Sequence, residues 1–115
     1  MSANKTTVRQ YMDGFRASDH DKILNCLTED VVWEMPGHYR HEGKAAFDGE
    51  IENENFTGSP TIQILRMVEE NNIVIAEGAV QGKMKNGGLL NAVFCDVFHM
   101  EKGKIKHLTT YLMVK

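Results

Sequence analysis

Two side chains attract attention by their chemical type and their placement. Asp96 interrupts an apolar alternation (Leu90, Ala92, Phe94, Phe98, Met100) in the segment Leu89–Glu101. A carboxylate in such a row costs free energy to keep ionised, so it is paired, neutralised or set beside a water-holding cavity. Its mid-strand position argues against a turn-capping role, and perturbed acids tend to mark functional sites. Tyr11 sits on the helical-period stripe Val8, Tyr11, Met12, Phe15. Its hydroxyl either rests at the rim of a core or enters a cavity near Asp96 as a hydrogen-bond donor.

A partner for Asp96 depends on the turn before its strand. A two-residue Asn86-Gly87 turn sets Asp96 opposite Glu77, giving two carboxylates that share a proton. A three-residue Asn86-Gly87-Gly88 loop sets it opposite Gly78 and turns Glu77 outward.

Other reactive types lack a constellation. His38 and His41 fall in an expected loop with no convergent third ligand, so no metal is expected. Cys26, placed in a helix, and Cys95, on an outer strand face, form no CxxC pair and read as free thiols. Ser2, Ser18 and Ser59 lie at the terminus or in loops, without a nucleophile-elbow motif. Glycine-rich phosphate-binding loops are absent, and no cofactor is expected.

The elements that position Asp96 and Tyr11 follow from period and punctuation. A first helix is capped by Thr6 or Thr7. A second is capped by Asp19 and buries Ile23, Leu24 and Leu27. Val31–Met35 is a short strand stopped by Pro36-Gly37. A third helix runs from about Lys44 to Glu54, burying Ala46, Phe47 and Ile51, with its acidic face (Asp48, Glu50, Glu52, Glu54) in solvent. Four long strands follow: Thr61–Glu70, Ile73–Lys83, Leu89–Glu101 and Lys104–Val114, separated by turn formers. Helices first and a meander afterwards is an α+β pattern. Such long strands must twist and curl, making a cone closed by helices. A three-residue turn, Glu101-Lys102-Gly103, lets the even residues of the last two strands share the inner face. The odd residues (Val93, Cys95, Val97, His99, Ile105, His107, Thr109, Tyr111) form a half-apolar outer face suited to a symmetric homodimer.

Composition bounds the classes. The 115 residues suit one domain over 1–115, with 42% hydrophobic and 25% charged residues. A net charge of −3 does not mark a nucleic-acid or acidic-membrane binder. The longest uncharged stretch with an apolar centre, Gly87–Cys95, is far short of the roughly 20 residues that span a bilayer. No secretory signal is visible at the N-terminus, so a reduced, cytoplasmic protein is expected.

The chain resembles the nuclear-transport-factor-2-like superfamily, in its SnoaL-like polyketide-cyclase and ketosteroid-isomerase branch. The resemblance is carried by Tyr11–Phe15 through Ser18–Asp21 to Leu27, by Thr28–Gly37, by Glu42–Phe47, and by Cys95–Met100 leading into Gly103–Ile105. It implies a cone-shaped α+β fold. It also implies that Tyr11 donates to a developing oxyanion while Asp96 is a protonated acid beside it. The isomerase's general base falls here on Met35, which takes no proton. Glu34, one residue earlier, faces away unless a bulge before Pro36 turns it inward. The resemblance therefore implies an isomerase, cyclase or dehydratase-type enzyme. Tyr11 and Asp96 would polarise a carbonyl or enolate, in a pocket lined by Phe15, Trp33, Met35, Phe47, Ile51, Phe98, Leu108 and Thr110. The base would be Glu77, Glu34, or Asp96 itself if it is ionised. The alternative is a non-catalytic ligand-binding or dimeric assembly module on the same fold.

Overall fold

Ser2 begins the first helix. Its hydroxyl accepts the Lys5 N–H at 3.0 Å and caps α1 (Ala3–Ala17). The expected caps, Thr6 and Thr7, lie inside the helix and donate to the carbonyls of Ser2 and Ala3. A serine caps as well as a threonine, and the earlier start adds a turn of backbone hydrogen bonds. Asp19 caps α2 (His20–Leu24) as expected, accepting from the Lys22 N–H at 3.1 Å. Leu27 does not belong to that helix. The chain turns at Asn25-Cys26, so Cys26 is a buried turn residue, and Leu27 opens β1 (Leu27–Met35).

The computed structural model describes residues 2–52 and 56–115. The remaining elements are β2 (Tyr39–Glu42), α3 (Lys44–Ile51), β3 (Phe56–Glu70), β4 (Ile73–Met84), β5 (Leu89–Glu101) and β6 (Lys104–Val114). Six strands form one curved sheet in the order β2-β1-β6-β5-β4-β3, with β1 and β6 parallel and the other neighbours antiparallel. β2 is absent from the sequence reading: four residues are too few to display an alternation, and its His41 falls in an expected loop. β3 begins five residues before the expected Thr61 and contains Pro60, which an edge strand tolerates because no neighbour needs its missing N–H. α3 stops at Ile51, and the expected final residue, Glu54, lies outside the described residues.

Parity holds for β5, whose Ala92, Phe94, Asp96, Phe98 and Met100 are all buried, but the turns that set it differ from expectation. Lys102 and Gly103, at φ 50° and 78°, form a two-residue turn closed by Glu101 and Lys104. Both central residues need positive φ there, as a hairpin twisted like its strands requires. Parity is restored by a bulge: His99 faces His107, whereas Met100 faces Ile105, leaving Lys106 as the extra residue. Ile105, expected outside, is set into the core by the two-residue turn, and its N–H reaches the Cys26 carbonyl at 2.8 Å.

The turn before β5 takes neither of the two registers considered. Met84 and Gly88 close a loop of Lys85-Asn86-Gly87, one residue earlier than the three-residue alternative, and Asp96 stands opposite Ala76. Glu77 pairs with Cys95 on the outer face.

The core fills the narrow end of the curved sheet. Val8, Ile23, Leu27, Val31, Phe47, Val74, Phe98, Ile105 and Leu108 are shut away from solvent there. Gly78 permits the curl beside it. A Cβ at this position would stand 2.3 Å from the Gln63 carbonyl oxygen and 2.6 Å from the Phe94 ring.

Candidate functional site

Above the filled end lies a cavity of about 560 Å³. Asp96 and Thr110, cross-strand partners on β5 and β6, form its floor. Toward the strand ends beyond them, Leu90 and Phe94 of β5 and Leu112 and Val114 of β6 line the walls. On the other side of that pair, Phe98 and Leu108 are solid core. α1 contributes Tyr11, Met12 and Phe15, β1 Trp33 and Met35, β2 Tyr39, and α3 Glu50 and Ile51, with Glu52 at its end.

Of the expected lining residues, Phe15, Trp33, Met35, Ile51 and Thr110 border the cavity together with Tyr11 and Asp96. Phe47, Phe98 and Leu108 do not. They sit one layer below, Phe47 stacked under Trp33 (ring centres 4.5 Å apart, planes at 29°) and Phe98 edge-on to Tyr11 at 5.4 Å. Alternation tells inward from outward but not how far the core fills the cone, so it admitted all three.

Asp96 is 8% exposed, and its Oδ1 is buried with no hydrogen-bond partner among the described residues. Burial pushes its carboxyl from the ordinary 3.8 up to about 7, against a smaller opposing pull from the Thr110 hydroxyl. That hydroxyl is oriented by a third group. The indole Nε1 of Trp33, which only donates, reaches Thr110 Oγ1 at 3.0 Å. The single proton of Thr110 is thereby left for Asp96. Trp33, Thr110 and Asp96 thus form a short relay, and Asp96 Oδ1 is left buried with no partner among the described residues.

Tyr11 is 3% exposed, and its hydroxyl is held well above the usual tyrosine range, chiefly by burial and then by the charge of Asp96. It is therefore a neutral donor at neutral pH. Tyr39, which the sequence reading missed, is a second phenol on the wall. Burial, with the charges of Glu50 and Asp96, raises its pKa as well.

Both glutamates expected as bases lie outside the cavity. Glu77, on the outer face, holds the Arg66 guanidinium at 2.7 Å. Glu34 faces Arg40 at 3.4 Å and His107 at 3.5 Å, because β1 pairs regularly through Met35 with no bulge before Pro36. The acidic face of α3, expected in solvent, is engaged. Asp48 and Glu52 bracket His20 at 2.5 and 2.7 Å, and Glu50 meets His41 at 2.9 Å. The carboxylates set among apolar residues in Phe47–Ile51 were the available signal, and the histidines that meet them are remote in sequence. Among the described residues no group of three or more His, Cys, Asp or Glu side chains is placed to hold a metal ion. No helix there is long and apolar enough to cross a membrane.

The outer face carries the expected row. Val93, Cys95, Val97 and His107 are half-buried, His99 and Tyr111 exposed, and the rings of His99 and His107 lie 5.7 Å apart.

Solved structures share this architecture. An NTF2-like protein of unknown function from Burkholderia pseudomallei K96243 superposes with a TM-score of 0.89 at 19% identity, over 98% of this chain and 92% of that one. An LEH-like epoxide hydrolase from M. tuberculosis gives 0.83 at 19%, over 96% and 82%. TerC, co-crystallised with polyporic acid, gives 0.84 at 20%, over 99% and 92%. No curated protein matches the chain. The SnoaL-like domain model matches residues 8–108, a span that includes Tyr11, Asp96 and most of the cavity lining, and the chain belongs to that family.

Proposed function

We propose that the cavity binds a small, mostly apolar carbonyl compound, and that Asp96 and Tyr11 donate hydrogen bonds to its oxygen as negative charge develops there. The observation that carries this reading is Asp96 itself, a carboxyl pushed up to about 7 with one oxygen buried and unpartnered, set in the lining of an aromatic-walled hollow. A protonated carboxylic acid is a donor, and a phenol with a raised pKa stays one. Two donors preorganised in an apolar site favour an enolate far more than they favour the neutral ketone. The reaction class supported is proton transfer: isomerisation, aldol-type cyclisation or dehydration. Hydrolysis of an epoxide, named for one structural neighbour, would need a water-activating group as well.

The test uses 2-naphthol, a flat phenol that imitates an enolate, with binding followed by fluorescence. Micromolar binding is expected, weakening as pH rises through about 7, where Asp96 loses its proton. Tyr11→Phe and Asp96→Leu should each lower affinity about 10- to 100-fold, the worth of a hydrogen bond to a charged group. Affinity unchanged in both variants overturns the proposal.

A second reading, a non-catalytic binding module, is favoured by Met35, a cavity-wall thioether where the resemblance leads one to expect a base. It predicts naphthol binding with no proton transfer from any carbonyl probe. On either reading we propose a homodimer through the outer face at Val93, Val97, His99, His107 and Tyr111, in a protein of the cytoplasm.

A further inference from the structure

Deprotonating a carbon beside a carbonyl takes a base, and neither Met35, Glu34 nor Glu77 supplies one. α3 does put a carboxylate on the cavity wall. Glu50 lines the hollow, with its side chain 19% exposed, and His41 Nε2 lies 2.9 Å from its Oε1. His41 itself stacks on Tyr39, ring centres 4.6 Å apart and planes at 29°. This brings β2 and α3 together around one carboxylate. The Tyr39 ring also packs edge-on to Trp33 at 5.5 Å, the residue at the head of the relay to Asp96. The two acids are thus linked across one wall of aromatic rings, Glu50 nearer solvent and Asp96 on the floor. Tyr39 lies in the field of both, since each charge raises its hydroxyl pKa.

We propose that Glu50 is the proton-accepting catalytic residue of this cavity, positioned by His41. The assignment rests on the carbonyl-polarising role proposed above for Asp96 and Tyr11. Glu50 takes a proton from the carbon adjacent to the carbonyl, and the C–H electron pair becomes the C=C bond of the enolate. The carbonyl π pair moves onto oxygen, where the Asp96 and Tyr11 hydroxyls meet it. Glu50 then returns the proton to the same carbon or to another one conjugated with it. Atoms and electrons balance without an oxidant, a reductant or a cofactor. The two carboxyls divide the work by environment, the floor acid acting as donor and the wall carboxylate as acceptor.

The experiment uses the full chain with 2-tetralone, an enolisable aromatic ketone, in D2O. Exchange of its α-hydrogens is followed by proton NMR, and 2-naphthol binding is measured in parallel. Wild type is expected to accelerate exchange above buffer. Glu50→Gln, which keeps the shape, should lose at least about 100-fold of that acceleration, the lower range for a general base. Naphthol should still bind this variant, showing that fold and carbonyl site are intact. His41→Leu should slow exchange, and His41→Gln, which retains an N–H donor, should restore part of the rate.

Exchange retained in Glu50→Gln overturns the assignment and leaves the carbonyl site standing. So does wild-type protein that binds naphthol but exchanges no α-hydrogen. Loss of naphthol binding in Glu50→Gln also overturns it, because Glu50 then acts through the shape of the site. Wild-type protein that neither binds naphthol nor exchanges tetralone refutes the carbonyl site itself.

Discussion

Asp96→Asn turns the buried carboxyl into a measurable slope of stability against pH. In the folded protein the carboxyl is pushed up to about 7; in the unfolded chain it returns to the ordinary 3.8. Between those values the unfolded chain has released the proton and the folded protein has kept it, so raising pH draws the equilibrium toward unfolding. The stabilising contribution is whole below about pH 4, falls through the interval, and is gone above about 7. At ~1.36 kcal/mol per pH unit, the interval amounts to about 4 kcal/mol. The amide introduced by this substitution does not titrate, so the variant lacks this slope while keeping every other group's. Urea unfolding of both proteins from pH 4 to 9 is the assay, and the difference between them is the readout. Wild type should lose about 4 kcal/mol relative to the variant by pH 8, and the difference should be level beyond that. A difference that is flat across the whole range refutes both the buried neutral acid and the donor role built on it. A carbon-13 titration of the Asp96 carboxyl, with a midpoint near 7 expected, checks the same point directly.

Thr110→Val removes the middle of the relay. The Asp96 midpoint should move upward, and stability should fall by about 1–3 kcal/mol because the Trp33 N–H is left without its acceptor. An unmoved carbon-13 midpoint contradicts this. Gly78→Ala drives a methyl group into the Gln63 carbonyl and the Phe94 ring, at a cost of about 1–3 kcal/mol, seen as a lower thermal midpoint. An unchanged midpoint means the strands there are looser than described. Val97→Glu puts a charge in the middle of the proposed dimer face, and sedimentation should report monomers where wild type sediments as dimers. Wild type sedimenting as a monomer refutes the dimer.

The burial of Asp96 was legible because alternation in β5 is unbroken over thirteen residues and needs only the strand period. Tyr11 was legible for the same reason on the helical period. What failed was information that periods do not carry. Register depends on where a turn closes, and Lys85-Asn86-Gly87 competes with Asn86-Gly87-Gly88 on nearly equal chemistry, so the facing of Glu77 could not be decided in advance. The two-residue turn at Lys102-Gly103 and the bulge at Lys106 leave no mark in composition; the turn set Ile105 opposite Met100, inward, and the bulge kept Leu108 and Thr110 on their expected face. The depth of the cavity depends on packing in three dimensions, which is why Phe47, Phe98 and Leu108 were placed on the wall rather than beneath it. Glu50 was read as solvated because its histidine partner sits on a four-residue strand with no pattern of its own.

The parallel pairing of β1 with β6 dictates when the pocket comes into being. Trp33 and Thr110 are separated by 77 positions, and the strand carrying Thr110 is the last of the six to leave the ribosome. Until then the indole has no acceptor, the acid has no threonine beside it, and β1 has only its short hairpin neighbour. Closing so distant a contact is slow, since chain entropy is lost before the pairing repays it. The β3–β5 meander pairs nearest neighbours alone, whereas the cavity is complete only once β6 lies between β5 and β1. A deletion within β6 would therefore remove Thr110, Leu112 and Val114 from the cavity while leaving the pairing of β3, β4 and β5 in place.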